Sequence, residues 1–208
     1  MFSLRVSFKD KEVIQQLQAE EEMLIDAQKA LVVVIDVQEK LVPAIHELEP
    51  LLKASELVLK SACELNVPVL VTEQYPRGLG HTIERLKTYY APGDVFEKMS
   101  FSSVGCSPFM AQLKQSGRQQ VVIIGIEAHV CVQQTVLELL DERFDVFVVA
   151  DAVGSRTPEN KQLALERMIR SGAEVVSAEM VLFELLREAG TPEFKTLSRL
   201  LKTDKSEL

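Results

Sequence analysis

The chain has little cysteine. Its 208 residues hold three, Cys63, Cys106 and Cys131, an odd number at unrelated spacings. Such a set makes no disulfide framework and points to a reducing compartment. Cations are also short. The 23 Lys and Arg stand against 31 Asp and Glu, a net charge of −8 that argues against a nucleic-acid or anionic-membrane partner. No stretch reaches the ~18 consecutive apolar residues of a membrane span. The start, Met1-Phe2-Ser3-Leu4-Arg5-Val6-Ser7-Phe8, lacks the long apolar core of a secretory signal, so the expected location is cytoplasmic. Internal repeats, low-complexity segments and interdomain linkers are missing too. With 47% hydrophobic residues, the chain suits one globular domain with a sizeable core.

What is present is a beat of strands and helices. Ala30-Leu31-Val32-Val33-Val34-Ile35 is the continuous β-branched run of a strand buried on both faces. Further strands are predicted over 67–71, 94–98, 120–124, 145–150 and 173–177. Helical spacing fills 50–64, 108–116, 131–142, 158–171 and 179–189. Strands alternating with helices of roughly ten to fifteen residues mean βαβ units. The expected fold is a three-layer α/β/α domain over residues 29–190, built on a six-stranded, mostly parallel, doubly wound sheet. Residues 1–28 read as a charged, helix-prone N-terminal extension and 191–208 as a surface C-terminal tail.

In open parallel sheets the working groups gather beyond the carboxyl ends of the strands, where strand order reverses. Three reactive side chains fall just past strand ends: Asp36, Lys98 and, seven residues on, Cys131. Each has a plainer reading, as a helix cap, a solvated lysine or a small buried apolar side chain. Together they suit acyl transfer. A thiol at a helix N-terminus tends toward the thiolate, a carboxylate can take and return its proton, and an ammonium favours both anions. None of His46, His81 and His129 stands in an obvious position for the base. A nucleotide-binding Rossmann turn is excluded, because Asp36-Val37-Gln38-Glu39-Lys40 contains no glycine. A redox-sensing thiol would need Cys106 as resolving partner. Cys106 otherwise reads as packing and Cys63 as core.

Asp36-x-Gln38 after a strand, the downstream Lys98, and Gly125-Ile126-Glu127-Ala128-His129-Val130-Cys131-Val132-Gln133-Gln134-Thr135 resemble the isochorismatase-like cysteine hydrolases. Together with Thr72-Glu73-Gln74-Tyr75-Pro76 and Gly78-Leu79-Gly80-His81-Thr82, they are most similar to the isochorismatase domain-containing branch. The resemblance implies Asp36 as general acid/base, Lys98 as its charged partner and Cys131 as nucleophile. It further implies a cis peptide at Ile126–Glu127 that aims the Glu127 N–H, with that of Cys131, at an oxyanion. The expected activity is hydrolysis of a small amide or related acyl compound through a thioester. Gln38, Tyr75, Phe101, Ser102 and His129 would bind the substrate. A homo-oligomer is expected, and no cofactor. Nicotinamidases of this superfamily hold a metal between the second strand and the lysine. Here residues 73–81 offer a lone histidine, His81, so no metal is expected. A Glu127 side chain facing the pocket would repel anionic substrates; one facing solvent would mean little. The alternative from another class is a catalytically silent protein that keeps the fold for binding.

Overall fold

A computed structural model describes residues 24–203. Its six strands are β1 (Ala30–Ile35), β2 (Val69–Gln74), β3 (Val95–Lys98), β4 (Gln120–Ile126), β5 (Asp145–Gly154) and β6 (Glu174–Val176). They form one sheet in the order β3-β2-β1-β4-β5-β6, with every pairing parallel. Between and after them run α1 (Leu48–Glu64), α2 (Ser107–Gln115), α3 (Gln133–Asp141), α4 (Pro158–Arg170), α5 (Ala178–Leu186) and α6 (Pro192–Thr203).

The alternation of β1 divides its side chains between two cores. Val32 and Val34 meet Leu51, Val58 and Leu59 of α1 and Val181 and Leu185 of α5. Leu31, Val33 and Ile35 meet Phe109 and Leu113 of α2, Val136 and Leu139 of α3 and Met168 of α4. Both faces of the strand are therefore dry, which is why its sequence shows no polar alternation.

Strand order reverses between β1 and β4, the two central neighbours. The register places Ile35 beside both Thr72 of β2 and Gly125 of β4, and Gln74 beside Lys98. Gly125 has φ +124°, and a Cβ there would lie 2.1 Å from the Ile35 carbonyl oxygen. Only glycine lets the two backbones approach so closely at this point.

Several expectations are revised. β4 runs to Ile126 and β5 to Gly154, past the ends of their apolar runs, with a register irregularity between Ile123 and Gly125. Cys131 does not open an α-helix: it lies in a wide π-type turn, Ala128–Val132, and α3 begins at Gln133. Cys63, read as core, is exposed. The segment from Thr191, read as a surface tail, forms α6, whose Leu197 is buried against Leu182 and Leu186. It covers the apolar ends of α5 that the 29–190 reading left open. Of the N-terminal extension, residues 1–23 lie outside the described residues. Its last part is tied to the sheet: the Ile25 N–H donates to Glu184 and the Asp26 N–H to the Gln120 amide oxygen. Among the described residues, no helix is long and apolar enough to cross a membrane.

Candidate active site

Asp36 is the first residue past β1, in a left-handed conformation with φ +53°. Its N–H donates to the Thr72 carbonyl at 3.1 Å, which turns the side chain over the end of the sheet. Lys98 closes β3, two strands away, and reaches across β2 to the same place. Its Nζ donates to Asp36 Oδ2 at 2.7 Å, to Gln74 Oε1 at 2.8 Å and to the Phe101 carbonyl at 2.9 Å. Both charged side chains have zero exposure. Cys131, from the π-type turn after β4, is also buried, and its thiol lies close enough to the Asp36 carboxylate for each to shift the other's ionisation. Three strand ends thus bring acid, cation and thiol together at the reversal of strand order.

Burial dominates the electrostatics. It pushes the Asp36 carboxyl above its usual range, while the Lys98 charge and hydrogen bond, then those of Cys131 and Thr72, pull it back. The Cys131 thiol is pushed up to about 12, first by burial and second by the Asp36 charge, with Lys98 opposing. This corrects the expectation of a thiolate. The thiol form is favoured at rest, and a sulfur so placed becomes a nucleophile only when a base takes its proton.

The peptide bond Ile126–Glu127 is cis. The Glu127 side chain is largely buried and engaged by a cation. It forms a bidentate pair with Arg156 after β5, Nε to Oε2 at 2.9 Å and Nη2 to Oε1 at 2.6 Å. Hydrogen bonding to Arg156 therefore holds its carboxyl below the usual range, against the effect of burial.

The other expected contacts are placed as follows. The buried Gln38 amide is committed to backbone, with Nε2 donating to the Gln74 and Gly80 carbonyls and Oε1 accepting from the Gln74 N–H. It staples the loop after β1 to the loop after β2. The Ser102 hydroxyl donates to Glu138 at 2.6 Å and accepts from the Val104 N–H. His129 turns toward Ser155, Nδ1 to Oγ 3.0 Å. Tyr75 and Phe101 stand exposed on the loops after β2 and β3, with Met99 exposed on the same loop as Phe101. The Ser100 and Phe101 carbonyls turn inward to Lys98, and that of Met99 turns to Gln74. Glu73 and His81 pair at 2.8 Å, and Glu73 also receives the N–H and hydroxyl of Thr82. Among the described residues, no three His, Cys, Asp or Glu side chains converge on a common point.

Sequence reasoning missed Thr72, Gln74, Ser103, Thr135 and Arg156. Thr72 and Gln74 fell just beyond the strand predicted over 67–71, because the apolar run stops at Val71. Thr135 carried a legible signal. It stands four residues after Cys131 on a helical segment, the spacing at which a threonine hydroxyl bonds the preceding turn's carbonyl, and it does so at 2.7 Å.

A family model for the isochorismatase domain matches residues 30–180. The chain is 42% identical over 162 residues to a secreted isochorismatase effector, Isc1, of Phytophthora sojae, covering 75% of this chain and 76% of the relative. It is 37% identical over 165 residues to isochorismatase domain-containing protein 1 of Salmo salar, covering 79% of this chain and 58% of that longer protein. Among solved structures it superposes on a MAR1 ribonuclease from Caenorhabditis elegans with a TM-score of 0.80 and 36% identity, over 86% of this chain and 92% of the other.

Proposed function

The chain belongs to the isochorismatase family, and on that premise we propose that it is a metal-independent cysteine hydrolase acting on a small amide or related acyl compound. The observation that carries this reading is a buried carboxylate, Asp36, bound at 2.7 Å by the Lys98 ammonium, with the buried Cys131 thiol close enough to share its electrostatics. Asp36 takes the thiol proton as the sulfur attacks the acyl carbon. The oxygen that becomes negative is received by the backbone N–H groups of Glu127 and Cys131; one such donor is worth on the order of 10²–10³ in rate. Collapse of the tetrahedral adduct expels the amine, which leaves with the proton from Asp36, and a thioester remains. Water then attacks that thioester and gives its proton to Asp36. The acid departs and the sulfur regains its hydrogen. Lys98 keeps Asp36 charged between these transfers. Tyr75, Phe101 and His129 are the proposed substrate contacts around the thiol, and a homo-oligomer is the proposed assembly.

The test is acylation. Wild-type protein is incubated with a p-nitrophenyl ester and with a panel of small primary amides, and followed by intact mass and by release of nitrophenol or ammonia. Cys131→Ala provides the background, because Cys63 is exposed and labels on its own. A transient adduct on Cys131 that Asp36→Asn slows at least about a hundredfold supports the reading. An adduct no faster than in Cys131→Ala overturns it in favour of a silent binding protein. The ribonuclease named for the nematode relative gives a second reading, which the net charge of −8 opposes. Cleavage of a labelled RNA that Cys131→Ala abolishes would replace the amide with a phosphodiester.

A further inference from the structure

Behind the Asp36–Lys98–Cys131 cluster lies a second row of side chains, three hydroxyls with no exposure at all: Thr72, Ser103 and Thr135. They come from separate parts of the chain: the end of β2, the loop between β3 and α2, and the first turn of α3. Thr72 Oγ1 donates to Asp36 Oδ1 at 3.0 Å. Ser103 Oγ lies 3.4 Å from Thr72 Oγ1 and 3.3 Å from Thr135 Oγ1. Thr135 donates to the Cys131 carbonyl at 2.7 Å and accepts the Ser103 N–H at 2.9 Å. The row thus spans from the carboxylate of the acid/base to the backbone of the nucleophile, with the Ser103 N–H bond to Thr135 joining its two halves.

A hydroxyl has one hydrogen and two lone pairs, and this fixes the traffic along the row. The Thr135 hydrogen is committed to the Cys131 carbonyl. The Thr72 hydrogen goes to Asp36, which leaves the Ser103 hydrogen for the Thr72 oxygen. Asp36 Oδ2 receives the Lys98 ammonium and Oδ1 is the oxygen that Thr72 faces. An apolar side chain of the same shape could serve neither protonation state, and in a dry interior an unpartnered carboxyl is costly.

We propose, resting on the reading of Asp36 as acid/base, that Thr72 is the positioning residue for Asp36 and that Ser103 and Thr135 form the row behind it, keeping the carboxyl hydrogen-bonded whether charged or protonated. As a carboxylate, Asp36 accepts from Thr72. Once it has taken the thiol proton, two hydroxyls rotate. The Asp36 O–H then donates to Thr72, Thr72 to Ser103, and Ser103 to the free lone pair of Thr135. The only proton that changes owner is the one lost by Cys131, and every hydroxyl keeps its own. Thr135 holds the Cys131 carbonyl throughout, so the sulfur stays in register with the carboxyl as it changes state.

The test is titration of Asp36 by carboxyl-carbon NMR, its signal assigned by its loss in Asp36→Asn. The pH profile of Cys131 acylation by the p-nitrophenyl ester is measured on the same samples. In Thr72→Val the Asp36 midpoint and the acid limb of the acylation profile both move up by about one pH unit, the margin by which a hydrogen bond to the carboxylate exceeds one to the neutral carboxyl. In Thr72→Ser both stay at the wild-type position, because the hydroxyl is restored. Ser103→Ala moves them in the same direction by less and carries the test if Thr72→Val does not fold. A purely structural role would scale acylation equally at every pH and leave the midpoint in place; that outcome overturns the proposal. Failure of the parent reading is seen separately, as absence of Cys131 acylation in wild-type protein. Acylation that proceeds with an unmoved Asp36 midpoint overturns the role of Thr72 alone.

Discussion

Replacing Gly125 with alanine puts the architecture of the site under direct strain. Gly125 has φ +124°, outside the regions an L side chain adopts, and its new Cβ would stand 2.1 Å from the Ile35 carbonyl oxygen, 2.6 Å from Ile35 N and 2.8 Å from Ile35 C. The obstacle is backbone of the neighbouring strand, buried on both faces, so no side-chain rotation relieves it. Forcing a non-glycine residue into such a conformation costs about 1–3 kcal/mol, and overpacking a well-filled interior costs about 1–3 kcal/mol more. The sum, roughly 2–6 kcal/mol, is a large part of the ~5–15 kcal/mol that holds a domain folded. At about 2–4 °C per kcal/mol for this chain length, the melting temperature should fall by roughly 5–20 °C. Relief by separation of β1 from β4 moves Asp36, one residue past Ile35, away from the turn that carries Cys131. Thermal melting and the rate of Cys131 acylation at neutral pH are the two readouts. An alanine variant that melts within about 2 °C of wild type and acylates at the wild-type rate would refute the argument that this close approach holds the site.

Three further outcomes are expected. Lys98→Met removes the charge opposite Asp36 in a dry site; the carboxyl should rise further and stay protonated at neutral pH, with acylation of Cys131 down by at least about a hundredfold. His81→Ala tests a linkage. The hydrogen bond to Glu73 raises His81 above its usual 6.5, so the pair stabilises the fold fully below that value and less as pH rises through the folded-state value. The melting difference between wild type and His81→Ala should therefore shrink from pH about 6 to pH about 9, and a constant difference would count against a charged pair. Leu197→Ala should cost about 2–4 kcal/mol and, in hydrogen exchange, expose the amides of α6 before those of the sheet. Retained protection along α6 would mean that Leu197 does not anchor it.

Periodicity was enough for much of this molecule. The β-branched run at Ala30–Ile35 made β1 visible to the residue, and six strands with intervening helices were legible because both faces of a parallel sheet demand apolar residues. Asp36, Lys98 and Cys131 could be picked out by one topological rule, that chemistry gathers past the carboxyl ends of strands. Composition could not show that β4 continues through Gly125, since a glycine reads as a stop until a neighbouring backbone is there to exclude a Cβ. Nor could it show that α6 packs, because a helix near a chain end is buried only by what it meets.

The protonation state of the thiol is the clearest division between the two levels. Position in the sequence placed Cys131 near a helix start, where partial positive charge favours a thiolate. Tertiary structure buried it beside the Asp36 carboxylate, and desolvation together with that negative charge outweighs Lys98. Glu127 divides in the same way. Its partner Arg156 lies 29 residues away along the chain, and only the adjacency of β4 and β5 brings the two together. Local sequence determines which elements form and what they carry. Burial and pairing depend on residues distant in the chain, and in a low-dielectric interior those decide which groups are charged.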